Sequence, residues 1–209
     1  MGNINLSQVL IFLPGIILGL TVHEYCHALV ALMCGDSTAK EQGRITLNPL
    51  KHIDPLGFIM LIFAGFGWAK PVQFNENNLR NPRIDVIKIA LAGPLSNALI
   101  AMIVSVIYVL FSSSISSLRI VDEIFRSAIF INWALFVFNL IPLPPLDGSH
   151  LLLSQFKKYP VLYNALYKYG SFLLFGLVIV SFLTKINVFP ILPVIEFLGK
   201  GFLSLLGSR

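Results

Sequence analysis

The chain has 209 residues, of which 56% are hydrophobic and only 12% charged, with a formal net charge of +5. Soluble domains hold about a quarter charged residues, so this balance excludes a water-soluble globular class and calls for several long segments facing lipid. The positive excess does not point to nucleic acid, because the placement of the basic residues in loops accounts for it.

The first apolar run, Val9 to Cys34, is longer than the roughly 20 residues needed to cross hydrocarbon. It lies where a signal peptide would, yet it has no basic leading region, outruns such a segment and carries histidines in its interior, so it is expected to stay in the mature chain. Cys26 and Cys34 are too far apart along one helix to bridge, and neither has a partner at metal-ligand spacing. LGFIMLIFAGFGWA, at 56 to 69, is short for a span and contains three glycines, which suits a re-entrant segment. Further spans are expected from Val86 to Phe111, Ile120 to Ile141 and Val161 to Leu183. The C-terminal VIEFLGKGFLSLLG sets Glu196 and Lys200 at i,i+4 on one polar face, and either lies in the interface or forms a last short span. The expected fold is therefore an all-α polytopic membrane protein of one domain, residues 1–209, with about four to six transmembrane helices and a short re-entrant or β element after the first.

Orientation follows from lysine and arginine, which are retained on the cytoplasmic side. Lys40, Arg44, Lys51, Lys70, Arg80 and Arg83 lie between the first two spans, and Lys157 and Lys158 follow the third; the loop after the second span has Arg119 and, at its far edge, Arg126. The N-terminus is expected outside, and the end of the first helix that carries HEYCH on the cytosolic side.

His23, Glu24 and His27 fit H-E-x-x-H, which on a helix brings two imidazoles to one face with a glutamate about 100° round. The plain alternative is satisfied packing residues. Ionisable groups inside a span are costly and mark function, which favours a metal site with Glu24 as the neighbouring base. A catalytic zinc keeps three protein ligands and an open position, so a third ligand must come from elsewhere. NLIPLPPLDGSH, residues 139 to 150, delivers Asp147 at the matching depth from a proline-broken segment, with His150 as the rival ligand and an ordinary turn aspartate as the plain alternative. Asn97, four residues past Gly93, has an amide suited to a developing oxyanion or to the substrate backbone; Asn139 is a second candidate. For both the plain alternative is an interhelical hydrogen bond. Tyr25, Trp68 and Trp133 read as interface or packing aromatics, and His52 as a surface histidine.

H-E-x-x-H in the first core helix, G-P-x-x-N as GPLSN (Gly93 to Asn97) in the second, and N-x-x-P-x-P-x-L-D-G after the third occur in an order that resembles the site-2 protease family of zinc intramembrane metalloproteases. GRITLNPLKHIDPLG and GWAKPV resemble its short members without PDZ or CBS domains. The resemblance departs from the pattern where Ser149 and His150 follow the aspartate-glycine pair. It implies one zinc ion per chain held by His23, His27 and Asp147, with Glu24 catalytic, and an endopeptidase that cuts transmembrane protein substrates in or near their spans. It also implies a multi-pass protein of the cell membrane, in the lipid bilayer, with its active site toward the cytosol. RITL (Arg44 to Leu47) resembles the family's edge strand, which would pair with an extended substrate; a plain turn connector is the alternative. The competing functional class is a zinc-binding membrane transporter or sensor without proteolysis, disfavoured because a permeating ion needs successive polar sites. Haem binding is weaker still, since axial ligands come from opposite sides of a macrocycle.

Overall fold

A computed structural model of the chain describes residues 6–64, 67–156, 159–184 and 191–207. Over these residues the fold is all-α. Helix α1 (Leu6–Met33) is apolar apart from a few polar residues, His23, Glu24 and His27 among them, and closes in a Schellman motif: Gly35, at φ 112°, donates to Leu32 O, and Asp36 N reaches Ala31 O at 3.0 Å. Asp36 then ties this turn to the loop before the next long helix. Its carboxylate accepts from the Thr38 hydroxyl at 2.6 Å, from Asn75 N at 2.8 Å and from the Asn78 amide at 2.8 Å.

Between them run a single turn, α2 (Thr38–Glu41), and α3 (Pro55–Ala64), ten residues long, started by Pro55 and capped by Asp54, which accepts from Gly57 N at 2.8 Å. The segment after α3 folds back on it. A Cβ at Gly57 would lie 3.0 Å from Trp68 N, so only glycine lets the two backbones pass this closely. An antiparallel bridge between Ile53 and Ala69 is the sole β-pairing among the described residues; RITL forms no strand but a bend, with the Arg44 side chain buried. His52 is likewise not at the surface. It is 1% exposed, its Nε2 2.8 Å from Thr46 O, since the loop folds over it rather than leaving it in solvent.

Helix α4 (Pro82–Leu110), a short α5 (Ser112–Ser116) and α6 (Arg119–Asn139) follow, and α1, α4 and α6 pack on one another as the centre of the molecule. Small residues allow the approach: a Cβ at Gly15 would fall 2.8 Å from Ala128 Cα, and one at Gly19 2.7 Å from Asn132 Oδ1. Beyond a loop with a cis Pro144–Pro145 bond come α7 (Gly148–Phe156), α8 (Pro160–Thr184) and α9 (Ile191–Leu205). Helix α9 lays Ile195 into the apolar cluster of Ala98, Ala101, Ile129 and Trp133 on α4 and α6.

Among the described residues three helices are long and apolar enough to cross a membrane: Ser7–Met33, Pro82–Leu110 and Pro160–Ser181. The expected third span, α6, is not among them. Arg119, Asp122, Glu123 and Arg126 occupy its first two turns and pair as Arg119–Glu123 and Arg126–Asp122 at 3.0 and 2.8 Å. Helix α9, at 15 residues, is shorter than a straight crossing requires, and it packs along α6.

Candidate metal centre

One turn apart on α1, His23 and His27 turn their Nε2 atoms to within 3.0 Å of each other, and Asp147 Oδ2, from the turn before α7, lies 3.1 Å from the first and 3.4 Å from the second. The other ring nitrogens are engaged. His23 Nδ1 lies 2.6 Å from Asn97 Oδ1, and His27 Nδ1 lies 2.7 Å from the backbone carbonyl of Ile89. The Ile89 carbonyl can only accept, and Asn97 is oriented with its oxygen toward His23 because its Nδ2 donates to Gly19 O and Asn132 Oδ1, each at 3.1 Å. Both imidazoles therefore carry a hydrogen on Nδ1, which in the neutral ring leaves the Nε2 lone pair facing the shared spot.

Two lone pairs and a carboxylate oxygen pointed at one spot repel unless a cation sits among them. Asp147 Oδ2 is buried and receives no hydrogen bond, a state that costs about 1–3 kcal/mol or more in an ordinary protein interior. Tetrahedral zinc with bonds near 2.0–2.1 Å sets its ligand atoms about 3.3 Å apart, and the three donors already stand at nearly that spacing. The residues fit a zinc ion.

Helix α4 reaches this close because of its glycine. A Cβ at Gly93 would collide with both rings, 2.6 Å from His23 Nε2, so GPLSN supplies a notch at Gly93 as well as the amide at Asn97. Pro94, which has no N–H to return to Ala90, breaks the helical ladder beside that notch.

Glu24 is buried next to the first ligand, and its Oε2 accepts a hydrogen bond from Val72 N at 2.8 Å. The other candidates are placed elsewhere. Asn97 is fully buried with both amide hydrogens committed to Gly19 and Asn132, so it stands behind His23 as a support and has none left for an oxyanion or a substrate carbonyl. Asn139 donates to Leu135 O of its own helix at 3.0 Å, a bond within α6 rather than between helices. His150 is outside the group formed by His23, His27 and Asp147; its ring faces Phe74, 6.1 Å between centroids, and lines a cavity of about 1270 Å³ bounded also by Val72, Tyr159, Tyr163 and Tyr167.

The sequence reading missed Asn132, which orients Asn97 and bonds Ala128 O at 2.8 Å, and the backbone groups of Ile89 and Val72. A lone asparagine within an apolar run was the available signal for Asn132. The two backbone partners leave no trace in side-chain identity.

Fold and site together define a helical scaffold, apolar enough for a bilayer, with an H-E-x-x-H centre completed by a distant aspartate. A family model described as peptidase family M50 matches residues 113–175, which contain Asp147. The chain is 43% identical over 142 residues to YwhC of Bacillus subtilis (strain 168), a protein with a provisional zinc-metalloprotease name; the match covers 66% of this chain and 65% of that protein. It is 32% identical over 155 residues to Rip2 of Mycolicibacterium smegmatis, named in the same provisional way, covering 68% of this chain and 57% of the relative. Rip2 of Mycobacterium tuberculosis (strain H37Rv) is 30% identical over 142 residues, 65% of this chain and 53% of the relative. The chain thus spans somewhat under two thirds of the length of the curated relatives it matches. No solved structure matches it. The chain belongs to peptidase family M50, the site-2 protease family.

Proposed function

We propose that the chain is a zinc-dependent intramembrane endopeptidase that hydrolyses peptide bonds within or near the transmembrane segments of membrane-protein substrates. The observation that carries this reading is the meeting of two Nδ1-protonated imidazoles and an undonated carboxylate oxygen beside Glu24. A zinc ion there supplies a Lewis acid for the scissile carbonyl and brings the acidity of water toward neutral pH.

The chain's own residues do the rest. Glu24 takes the proton of the attacking water and returns it to the departing amine, a general acid–base role worth about 10²–10⁴-fold. Asn97 and the Ile89 carbonyl hold His23 and His27 in the tautomer that leaves Nε2 free to ligate. The apolar helices around the site keep bulk water out. The basic residues between α1 and α4 support an orientation of this multi-pass protein with this end on the cytosolic side of the cell membrane and cleavage toward that face.

The test is cleavage of a transmembrane substrate in proteoliposomes by the wild type and by Glu24→Gln. The variant is expected to retain zinc and lose turnover by at least about 10²-fold. Equal cleavage by the variant would remove the mechanism. Zinc flux across the same vesicles without any hydrolysis would favour the transporter reading instead.

A further inference from the structure

GRITLNPLKHIDPLG and GWAKPV give no ligand to the metal centre, yet a continuous set of polar contacts joins them to it. Arg44 is 5% exposed, and its Nη2 donates to the Lys70 carbonyl. The amide of the same residue, Lys70, donates to His52 O at 2.8 Å, and His52 is held in turn against Thr46 O. Residues 44–53 therefore grip Lys70 by both its N–H and its C=O. Only Pro71, with its fixed φ, separates Lys70 from Val72, so fixing Lys70 also restricts where the N–H of Val72 can point. That N–H is the one that meets Glu24 Oε2.

The charge balance leads to the same place. A guanidinium removed from water is costly unless a carboxylate compensates it. Burial pulls the Arg44 guanidinium below its ordinary value, and the carboxylate whose field pushes it back is that of Glu24. Its Nε is buried with no acceptor, so the side chain is not there for a complete local hydrogen-bond set.

We propose that Arg44 is a positioning residue for the general base: by clamping Lys70 it presents the Val72 N–H to Glu24. The inference rests on reading Glu24 as the base. With Oε2 pinned, Oε1 is left for the proton, and a misplacement near 1 Å costs about 10²-fold in rate.

The test uses the full chain in proteoliposomes with a transmembrane substrate. Arg44→Ala is expected to lower kcat by about 10–100-fold with KM and zinc content unchanged, and added guanidinium to restore part of the loss. Val72→Pro, which removes the N–H, is expected to show the same defect, and the double variant no more than either single one. Should the alanine variant not fold, Arg44→Lys serves, since an ammonium keeps the charge without the fork and is expected to fall short as well. Hydrogen exchange gives a readout independent of turnover: the Val72 amide is expected to exchange at least about 10-fold faster in the Arg44 variants while α1 and α4 keep wild-type protection. Unchanged kcat, an additive double variant or an unaltered Val72 amide each overturns the clamp. If wild type cleaves and Arg44→Ala matches it, the clamp alone fails; if wild type with zinc cleaves nothing, the reading of Glu24 fails and the clamp with it.

Discussion

Helices α4 and α8 are both apolar enough to cross a bilayer, yet 56% of the most apolar stretch of α4 is buried inside the protein against 12% for α8. From Gly93 to Ser105 the buried face of α4 is mostly small or polar, with Gly93, Ser96, Asn97, Ala98, Ala101 and Ser105 beside Pro94 and Ile100, while Leu95, Leu99 and Ile103 face out; larger residues, Ile89 and Tyr108, are buried toward its two ends. Helix α8 shows Val161, Phe172 and Leu183 to its surroundings. Large apolar side chains lose nothing by meeting lipid, so the interior goes to small residues that let backbones approach and to polar groups that need partners. The chemistry accordingly sits on the helices whose inner faces are small and polar.

Removing a ligand breaks this contrast most sharply. Asp147→Ala is expected to bring the zinc content of the purified protein to background, whereas His150→Ala, which removes a ring facing Phe74, leaves it intact; metal analysis of the two side by side decides between them. The next effect tests the inner face of α4. Asn97→Leu frees the His23 tautomer and is expected to weaken zinc about 10–100-fold in chelator competition.

A smaller effect belongs to the far end of α1. Burial alone would raise the Asp36 carboxyl, but hydrogen bonds from Thr38, Asn78 and backbone amides outweigh it and hold the group below its ordinary value. A lowered folded-state value means that the stabilisation is present above the unfolded value and is lost as the pH falls through the folded one. Thermal unfolding between pH 7 and pH 3 should therefore show wild type losing its advantage over Asp36→Asn below about pH 4. The smallest effect lies on α8, where Phe172→Ala is expected to leave zinc content unchanged and stability within about 0.5 kcal/mol.

Ligand chemistry was legible because histidine, glutamate and aspartate are rare in apolar sequence and their spacing reports a shared helix face. Roles that depend on direction were not. Asn97 reads from sequence either as a donor to an oxyanion or substrate or as a plain interhelical hydrogen bond, and only the Gly19 carbonyl and Asn132 reveal that its hydrogens go to neighbouring helices and its oxygen faces His23. His52 reads as a surface histidine and Arg44 as a loop cation opening a candidate edge strand, because nothing in their local sequence announces that residues 44–53 close over Lys70. The first two long helices were plain from length and hydropathy. Helix α6 was harder, because its ion-paired first turns and its buried Asn132 and Trp133 belong to a helix placed by its neighbours as much as by its apolar content.

The relay from His23 through Asn97 to Asn132 runs across α1, α4 and α6. Metal affinity in this chain is thus a gauge of assembly: a half-docked helix trio would carry HEYCH in full and still grip zinc poorly. Under the proposed function, hydrolytic power would then be withheld until the three helices have docked, with no separate inhibitor needed.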